Sequence, residues 1–439
     1  PKGALAALDL ENEEIEVFGI EKLQDFTWKQ LFDTEACTRC GRCQDNCPAY
    51  LSEKPLSPKK LTQNLRTHLL EKGPLLVAQR VRAAKAGAGE AEAAATDEKT
   101  RAILEKRLIG DVVSEDEIWA CTTCRACEEQ CPVFVEHLAK TIGLRRNLVL
   151  SESRFPGEAQ VAFRNMENNG NPWGIGWANR ADWAAELGVP ALAETQGEVE
   201  VLFWPGCAGA FDDRNRKVAE AMVRLLQTAG VRFAILGTEE KCCGDSARRL
   251  GNEYLFQMLA QENIETLKQY RFGEIVTTCP HCYNTLKHEY PQFGGTFPVV
   301  HHSTYLWRLV QQKRLVPRQS LNLVATYHDS CYLGRYNDIY AEPRQLLRAV
   351  QGLRLTEMER HHDRSFCCGA GGGRMWLEEK IGRRINLMRT EQALARNPQM
   401  IATACPFCLV MFSDGLKDKG IEEGVQALDL AEVLVRALG

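Results

Sequence analysis

The sequence lacks any long hydrophobic run. No apolar stretch approaches the ~20 residues that a membrane-spanning helix needs, and the chain does not open with a secretory signal pattern. Charge of one sign is also missing, because 54 Lys and Arg stand against 58 Asp and Glu, giving a formal net charge of −4. This balance leaves no sequence-wide basic surface, so we predict no nucleic-acid partner.

Nucleotide-binding motifs are absent as well. No P-loop occurs, and no Gly-x-Gly-x-x-Gly opens a strand–helix unit, because the glycines at 369–373 follow cysteines. The chain therefore has no recognisable flavin or nicotinamide site of its own. Electrons used in redox chemistry would have to come from, or leave to, another protein.

Cysteine is what the sequence has in excess. A chain of 439 residues, large enough for about two or three domains, contains 18 cysteines. Disulfide frameworks belong to short secreted domains, so metal binding is the better interpretation. The cysteines fall into sets of four, four, five and five with none left over.

The first two sets share the spacing Cys-x-x-Cys-x-x-Cys-x-x-x-Cys-Pro, at 37–48 and 121–132. In two-cluster ferredoxins the fourth cysteine of each set ligates the other cluster. A zinc ribbon and reactive thiols are the alternatives, but ribbons usually lack the third and fourth cysteines at this spacing. We predict two cubane [4Fe-4S] clusters, one held by Cys37, Cys40, Cys43 and Cys131, the other by Cys121, Cys124, Cys127 and Cys47.

Helical stretches fill the gap between these two sets, which favours an α-helical ferredoxin module over residues 1–150. The Ala/Gly/Glu-rich piece Ala83–Ala95 is predicted to be a flexible connection. Residues 151–199, punctuated by Pro and Gly, are predicted to be a linker packed by tryptophans.

The remainder is an internal repeat whose matched cysteines are offset by 124 to 126 residues (207 to 331, 282 to 408). In each half an apolar strand, a helix, Cys-Cys-Gly, another helix and a short strand into Cys-Pro-x-Cys follow one another. Alternating strands and helices predict a parallel α/β domain in each half, at 200–312 and 313–439. Ligands gather beyond the carboxyl ends of such strands, where the sequence places Cys207, Cys279, Cys331 and Cys405.

Each half offers one cysteine more than a cubane requires. Adjacent cysteines do not readily close a disulfide with each other, but they can bind two irons of one cluster. Gly244 and Gly369 are expected to bring backbone close to inorganic sulfide. The predicted catalytic and metal-binding sets are Cys207, Cys242, Cys243, Cys279 and Cys282, and Cys331, Cys367, Cys368, Cys405 and Cys408.

These motifs resemble those of the CCG-domain family, and specifically of the D subunit of heterodisulfide reductase, over essentially the whole chain. The resemblance implies that each complete CCG set holds a noncubane [4Fe-4S] cluster. One cluster with a degenerate half, or zinc in one half, is the alternative. The fold class expected is α + α/β, an N-terminal α-helical two-cluster ferredoxin module followed by two duplicated α/β CCG domains.

The stretches 40–50, 54–59, 119–127 and 152–156 look like those of bacterial members associated with electron-transfer flavoprotein and a membrane haem b domain. That likeness implies an iron–sulfur electron-transfer oxidoreductase subunit, cytoplasmic and attached to the inner face of the membrane. It would pass electrons between a flavoprotein of the electron-transfer flavoprotein/acyl-CoA dehydrogenase type and the quinone pool, through a haem b or quinone-binding partner. The likeness implies a membrane domain that precedes residue 1 or is encoded separately, and a sequence starting at Pro is consistent with it.

Two other functions stay open. The chain could be the catalytic subunit of a heterodisulfide or other disulfide reductase, or a subunit of a glycolate or lactate oxidase complex.

Several other polar residues are candidates for proton delivery or charge balance, although structural or surface roles are at least as frequent for such residues. They are His281, His328, His301, His302, His361, His362, Arg335, Arg344 and Arg374.

Overall fold

The computed structural model describes residues 2–15, 17–86, 97–195 and 198–438. A helical N-terminal region is followed by two α/β units, each built on a four-stranded parallel sheet. The predicted fold class is thus confirmed. Among the described residues, the α-helices of eight or more residues are Trp28–Ala36, Pro58–Ala86, Glu98–Glu105, Leu138–Arg146, Gly157–Asn169, Asp213–Thr228, Glu253–Lys268, His302–Gln311, Ala341–Ala349, Ile385–Leu394, Pro406–Asp418 and Leu430–Leu438.

Local capping fixes where the N-terminal helices begin. Thr27 accepts a hydrogen bond from the amide of Gln30 at 3.3 Å, and its own amide donates to the Gln30 side chain at 2.9 Å, a capping box. Ser114 and Glu117 repeat the arrangement ahead of the second cysteine set. The helix Pro58–Ala86 runs into the piece predicted to be flexible, and the rest of that piece lies outside the described residues.

The first sheet comprises β1 (Val199–Trp204), β2 (Phe233–Ala234), β3 (Phe272–Thr277) and β4 (Val299–His301) in the order β2-β1-β3-β4. Its central strands are β1, in which five of six residues are buried, and β3, whose buried residues lie at its carboxyl end. The second sheet comprises β5 (Leu323–Tyr327), β6 (Leu353–Thr356), β7 (Met400–Thr403) and β8 (Gln426–Asp429) in the order β6-β5-β7-β8. The identical order confirms the duplication.

The two halves pack through helices on their outer layers. Asp213–Thr228 of the first half lies against Leu430–Leu438 of the second, and Arg214 donates to both carboxylate oxygens of Glu432 at 2.9 and 2.8 Å. One hydrophobic core runs from the ferredoxin module through both sheets. The halves therefore form one body around a shared interior.

The stretch predicted to be a linker packs against the first α/β unit. It contains a helix, Gly157–Asn169, and a 3-10 helix, Trp177–Leu187. Trp183 packs edge-on against Phe203 of β1, and the carbonyl of Gly170 accepts a hydrogen bond from the amide of Cys242 at 2.7 Å. Tryptophan packing is present as expected, but the segment touches the cysteine site directly.

Within the part of the chain that the structure describes, no helix combines the length and apolar character needed to cross a membrane.

Candidate metal centres

The structure interleaves the two ferredoxin cysteine sets. Burial raises the pKa of Cys43 to about 12, and the neighbouring Cys37 and Cys131 add to the shift. Burial likewise raises the pKa of Cys47, whose charged neighbours are Cys124 and Cys121. The fourth cysteine of each set therefore stands among the first three of the other, as the spacing predicts.

The first CCG site gathers its five cysteines at the carboxyl ends of β1 and β3. Cys242 lies within hydrogen-bonding reach of Cys207 and Cys243, and Cys282 within reach of Cys243 and Cys279. All five side chains are buried.

The second CCG site repeats this arrangement at β5 and β7. Cys367 lies beside Cys331 and Cys368, and the Sγ atoms of Cys408 and Cys368 are 3.3 Å apart. Cys405 lies against Cys408. The two sites are thus equivalent in composition, with ten buried cysteines between them.

Backbone amides point at several of these sulfurs. The amide of Gly244 donates to Cys242 at 3.5 Å, and the amide of Gly369 donates to Cys367 at 3.3 Å in the matched position of the second half. In the ferredoxin module the amide of Thr123 donates to Cys121 at 3.4 Å. Amide donors of this kind stabilise anionic sulfur and tune cluster potentials.

The residues fit iron–sulfur clusters. All 18 cysteines are free thiols, and thiolates are the soft anionic ligands that iron–sulfur clusters require. The neighbouring Cys243 and Cys279, together with burial, raise the pKa of Cys282 well above its usual range. Iron bound at these sulfurs would stabilise the thiolate form that crowding and burial disfavour.

The glycines of the Cys-Cys-Gly motifs have a different role from the one expected. Gly244 and Gly369 adopt φ of +86° and +103°, a region that side chains rarely enter. A Cβ on Gly244 would meet the Phe256 ring at 2.7 Å, rather than the metal site. Gly206 is the glycine that faces the site, since its Cβ would lie 3.2 Å from the Sγ of Cys282.

The second ferredoxin loop lies directly against the second CCG site. Cys124 is within hydrogen-bonding reach of Cys367 and shares a buried cluster with Cys331. Gly371 and Gly372 allow this contact, because their added Cβ atoms would come within 2.5 Å of the Thr122 carbonyl and 2.6 Å of the Cys121 carbonyl. The glycine loop 371–373 therefore joins two candidate clusters.

Arg145 holds this junction together. Its buried guanidinium donates to the carbonyls of Cys121 at 2.7 Å, Arg249 at 2.7 Å and Gly372 at 2.9 Å. One side chain thus bridges the ferredoxin module and both CCG units.

His281 lies between the two CCG sites. Its Nδ1 is 2.9 Å from a carboxylate oxygen of Asp245, its ring stacks on Tyr332 at 3.9 Å, and it reaches Cys405 of the second site. Asp245 and Cys405 hold the pKa of His281 above its usual range despite burial.

The other candidate histidines separate into three groups. His301 bonds Ser303 at 2.8 Å and His302 bonds Asp429 at 2.9 Å, which are structural roles. His361 and His362 are half-buried beside each other. His328 lies near Cys368 and Cys408, with ligand atoms within 4.8 Å of one another.

The three candidate arginines are buried or half-buried. Arg335 donates to the carbonyl of Cys124 at 2.7 Å, and Arg374 donates to that of Trp119 at 2.8 Å. Arg344 binds both oxygens of Asp329 at 2.7 and 2.8 Å.

Sequence reasoning missed the residues that reach the sites from distant segments. Arg180 donates to the Sγ of Cys207 at 3.5 Å and to Glu240 at 2.5 Å. Trp173 and Trp376 meet edge-on, 4.8 Å apart, and line the cavity of about 410 Å³ at the first CCG site. The tryptophan-rich stretch around Trp173 is the available signal in the sequence, but by itself it indicates only packing of a linker.

Interleaved ferredoxin loops beside two five-cysteine sites define an iron–sulfur oxidoreductase. Family comparisons agree: residues 33–135 match the 4Fe-4S dicluster domain, and residues 201–287 and 325–413 match the CCG family, a cysteine-rich domain. The chain belongs to the CCG-domain iron–sulfur oxidoreductases, which are similar to the D subunit of heterodisulfide reductase. It carries 4Fe-4S clusters in the ferredoxin module and noncubane clusters in the CCG domains.

Individual relatives show how far the similarity extends. An EtfAB:quinone oxidoreductase of Syntrophomonas wolfei is 51% identical over 97% of this chain and 61% of its own length. A probable membrane-anchored ferredoxin of Chromohalobacter salexigens is 39% identical over 99% of this chain and 64% of its own. The chain thus spans less than two thirds of these longer relatives.

A third relative matches end to end. The D subunit of the dihydromethanophenazine:CoB–CoM heterodisulfide reductase of Methanosarcina barkeri is 28% identical over 95% of this chain and 97% of its own length.

Proposed function

We propose that this chain is the iron–sulfur subunit that passes electrons between a flavoprotein of the electron-transfer flavoprotein/acyl-CoA dehydrogenase type and a membrane quinone pool. Bound clusters supply one-electron chemistry, which suits a chain that exchanges electrons with a two-electron flavin. The name of the 51% identical relative, an EtfAB:quinone oxidoreductase, supports this function. The 18 cysteines of the four sites are the proposed ligands.

The observation that carries the proposal is the order of the sites from surface to interior. Cys40 of the first ferredoxin loop is exposed, whereas the second loop places Cys124 beside Cys367 of the second CCG site. A redox partner can approach the first loop from solvent, and the CCG cysteines are all buried. Such an order suits transfer between an external partner and a protected interior.

We place the second partner in the membrane. The name of one relative, a probable membrane-anchored ferredoxin, supports attachment, and a haem b or quinone-binding domain or subunit would provide it. The cytoplasmic face is proposed because a reducing compartment protects thiolate-bound clusters from oxidation.

The test is anaerobic purification of the C-terminally tagged full-length gene product from membranes, with analysis of co-purifying proteins, haem and iron. We expect electron-transfer flavoprotein and b-type haem. Recovery of a chain with neither, in a background where the tagged protein is active, would overturn the flavin-to-quinone function.

Disulfide reduction is the second candidate, favoured by the end-to-end match to the Methanosarcina barkeri protein and by two complete five-cysteine sites. Reduced protein should then be reoxidised rapidly by a disulfide substrate, as followed by the EPR of the CCG clusters. A glycolate or lactate oxidase complex would instead co-purify with a flavin-dependent hydroxy-acid dehydrogenase.

A further inference from the structure

The buried arginines around the first CCG site are all neutralised. Arg180 pairs with Glu240 at 2.5 Å. Arg248 pairs with Glu253 at 3.0 Å and with Glu289 at 2.9 Å, and Arg249 pairs with Glu289. The first site therefore has guanidinium groups nearby but little uncompensated positive charge.

The second CCG site differs in charge although its cysteines match. Among the described residues, Arg335 and Arg389 have no carboxylate within 4.0 Å, although both are buried. Asp329 and Glu357, two acidic groups in this region, are both held by Arg344. The carboxylate of a third, Asp363, accepts from Gln130 at 2.9 Å.

These two unpaired guanidinium groups face the cysteines. The charge of Arg335 acts on Cys124 of the second ferredoxin loop and on Cys331 and Cys367 of the second CCG site. The charge of Arg389 acts on Cys408 and Cys368, and Asp329 is its largest acidic influence. Burial lowers the pKa of Arg389 only to about 10, so it stays charged at neutral pH. An uncompensated buried charge is costly, and an anionic cluster is the counter-charge that this site would supply.

A histidine completes the arrangement. The Nε of Arg389 donates to the Nδ1 of His328 at 3.1 Å, which leaves the proton of the neutral ring on Nε2. That Nε2 is buried and has no partner among the described residues, and the ring is within 4.8 Å of Cys368 and Cys408. His328 can therefore donate to sulfur at the second site.

The first half has an indole at the matched place. Trp204, offset by 124 residues from His328 as Cys207 is from Cys331, also has a buried Nε1 with no partner among the residues described. This Nε1 and the Sγ of Cys282 both face Gly206. Each half thus offers one such unpartnered N–H donor, but only the donor of the second half is hydrogen-bonded to a guanidinium that lacks a carboxylate partner.

We propose that Arg335, Arg389 and His328 make the second CCG cluster the more easily reduced member of the pair. Reduction adds negative charge, which nearby cations and N–H donors stabilise. His281, which reaches Cys405 from the first half, adds little net charge because Asp245 pairs with it at 2.9 Å. This inference goes beyond the proposed function and holds whichever partner supplies the electrons.

The test is an EPR-monitored potentiometric titration of the anaerobically purified full-length protein, which needs no partner. The variants Cys243→Ala and Cys368→Ala assign the CCG signals, because each should remove one. We expect the signal lost in Cys368→Ala to have the higher potential. Arg389→Met and His328→Phe should lower that potential and leave the potential of the other signal unchanged. Arg389→Lys, which keeps the positive charge, should keep the potential close to that of the unmodified protein.

Trp204→Phe is the matched control, since it should lower only the reduction potential of the signal assigned to the first site. The proposal is overturned if the signal lost in Cys368→Ala has the lower potential in the unmodified protein. It is also overturned if His328→Phe and Arg389→Met load all clusters and leave the second potential unmoved. If Arg389→Met loses the second cluster, His328→Phe and Arg389→Lys decide the outcome.

Discussion

The adjacent cysteine pairs are the most informative residues of this chain. Cys242 and Cys243 lie side by side at the first CCG site, and Cys367 and Cys368 do so at the second. Neighbouring cysteines close a disulfide with each other only under strain, yet each member of a pair also reaches a different cysteine of its site. That arrangement suits two irons of a single cluster better than any redox role for the thiols alone.

Removing one member of a pair should therefore cost one cluster. In Cys243→Ala we expect loss of about a quarter of the bound iron, since four similar clusters share it, with the ferredoxin signals retained. Cys368→Ala should do the same at the second site. Iron analysis and EPR of the purified variants check this expectation.

A ferredoxin-loop variant provides the contrast. Cys40→Ala should lose one ferredoxin signal and keep both CCG signals. Unchanged iron content in any of the three variants would show that the proposed ligand assignment is wrong.

At this scale the sequence predicts the cysteines well and their surroundings poorly. Ligand spacing is a local property, so the ferredoxin sets and the CCG repeats can be identified from the sequence alone. Arg180 and Arg389 reach their sites from a stretch predicted to be a linker and from the helix Ile385–Leu394. Only tertiary packing brings them to sulfur, and no spacing rule predicts it.

Among the elements, the glycine loop 371–373 is the one on which the assembly of sites depends. Its backbone lies against the carbonyls of Cys121 and Thr122, so the second CCG unit meets the second ferredoxin loop without intervening side chains. Gly372 also adopts φ of +68°. Both features require the absence of a Cβ at this position.

Gly372→Ala should therefore destabilise the protein more than backbone strain alone explains. The left-handed conformation costs about 1–2 kcal/mol for a residue other than glycine, and the Cβ would also lie 2.6 Å from the Cys121 carbonyl. We expect a lowered apparent melting temperature and an altered magnetic interaction between the neighbouring clusters.

Gly420→Ala is the matched control, because Gly420 has φ of +64° and open space around its Cβ position. It should show the strain without the collision. Equal effects of the two substitutions would mean that the loop contact contributes nothing beyond backbone conformation.

The elements themselves follow from the sequence more fully than their contacts do. Apolar runs ending at cysteine predict β1 and β5, and repetition of the pattern predicts two equivalent sheets. The helix Gly157–Asn169 escapes prediction, because Pro and Gly punctuate its flanks and only Ala159, Ala162, Phe163 and Met166 are buried along it. These four positions do follow the i, i+3, i+4, i+7 spacing of a helix, but two of them are alanines, which make only a weak apolar face.

Across the whole molecule, solvent exposure of the cysteines decreases from the first ferredoxin loop to the CCG sites, which are buried. Cys40 is exposed, and the helix that precedes it carries Trp28, which is 77% exposed, and Phe32, at 58%. Their rings are 6.4 Å apart. Large exposed aromatics beside an accessible redox site are typical of a partner interface.

Trp28→Gln tests whether electrons enter at this end of the molecule. If the flavoprotein docks over the first ferredoxin loop, loss of the indole should slow its reduction of the clusters roughly five- to thirty-fold, the equivalent of ~1–2 kcal/mol of contact energy. Iron content and reduction by dithionite should not change, because an indole this exposed adds little to the packing that holds the cysteines in place.

Tyr254→Gln is the control, since Tyr254 is 61% exposed and also near the start of a helix, but in the first α/β unit. Stopped-flow reduction by the co-purifying flavoprotein measures both variants. Equal slowing by the two substitutions, or none by Trp28→Gln, would place the entry point elsewhere on the surface.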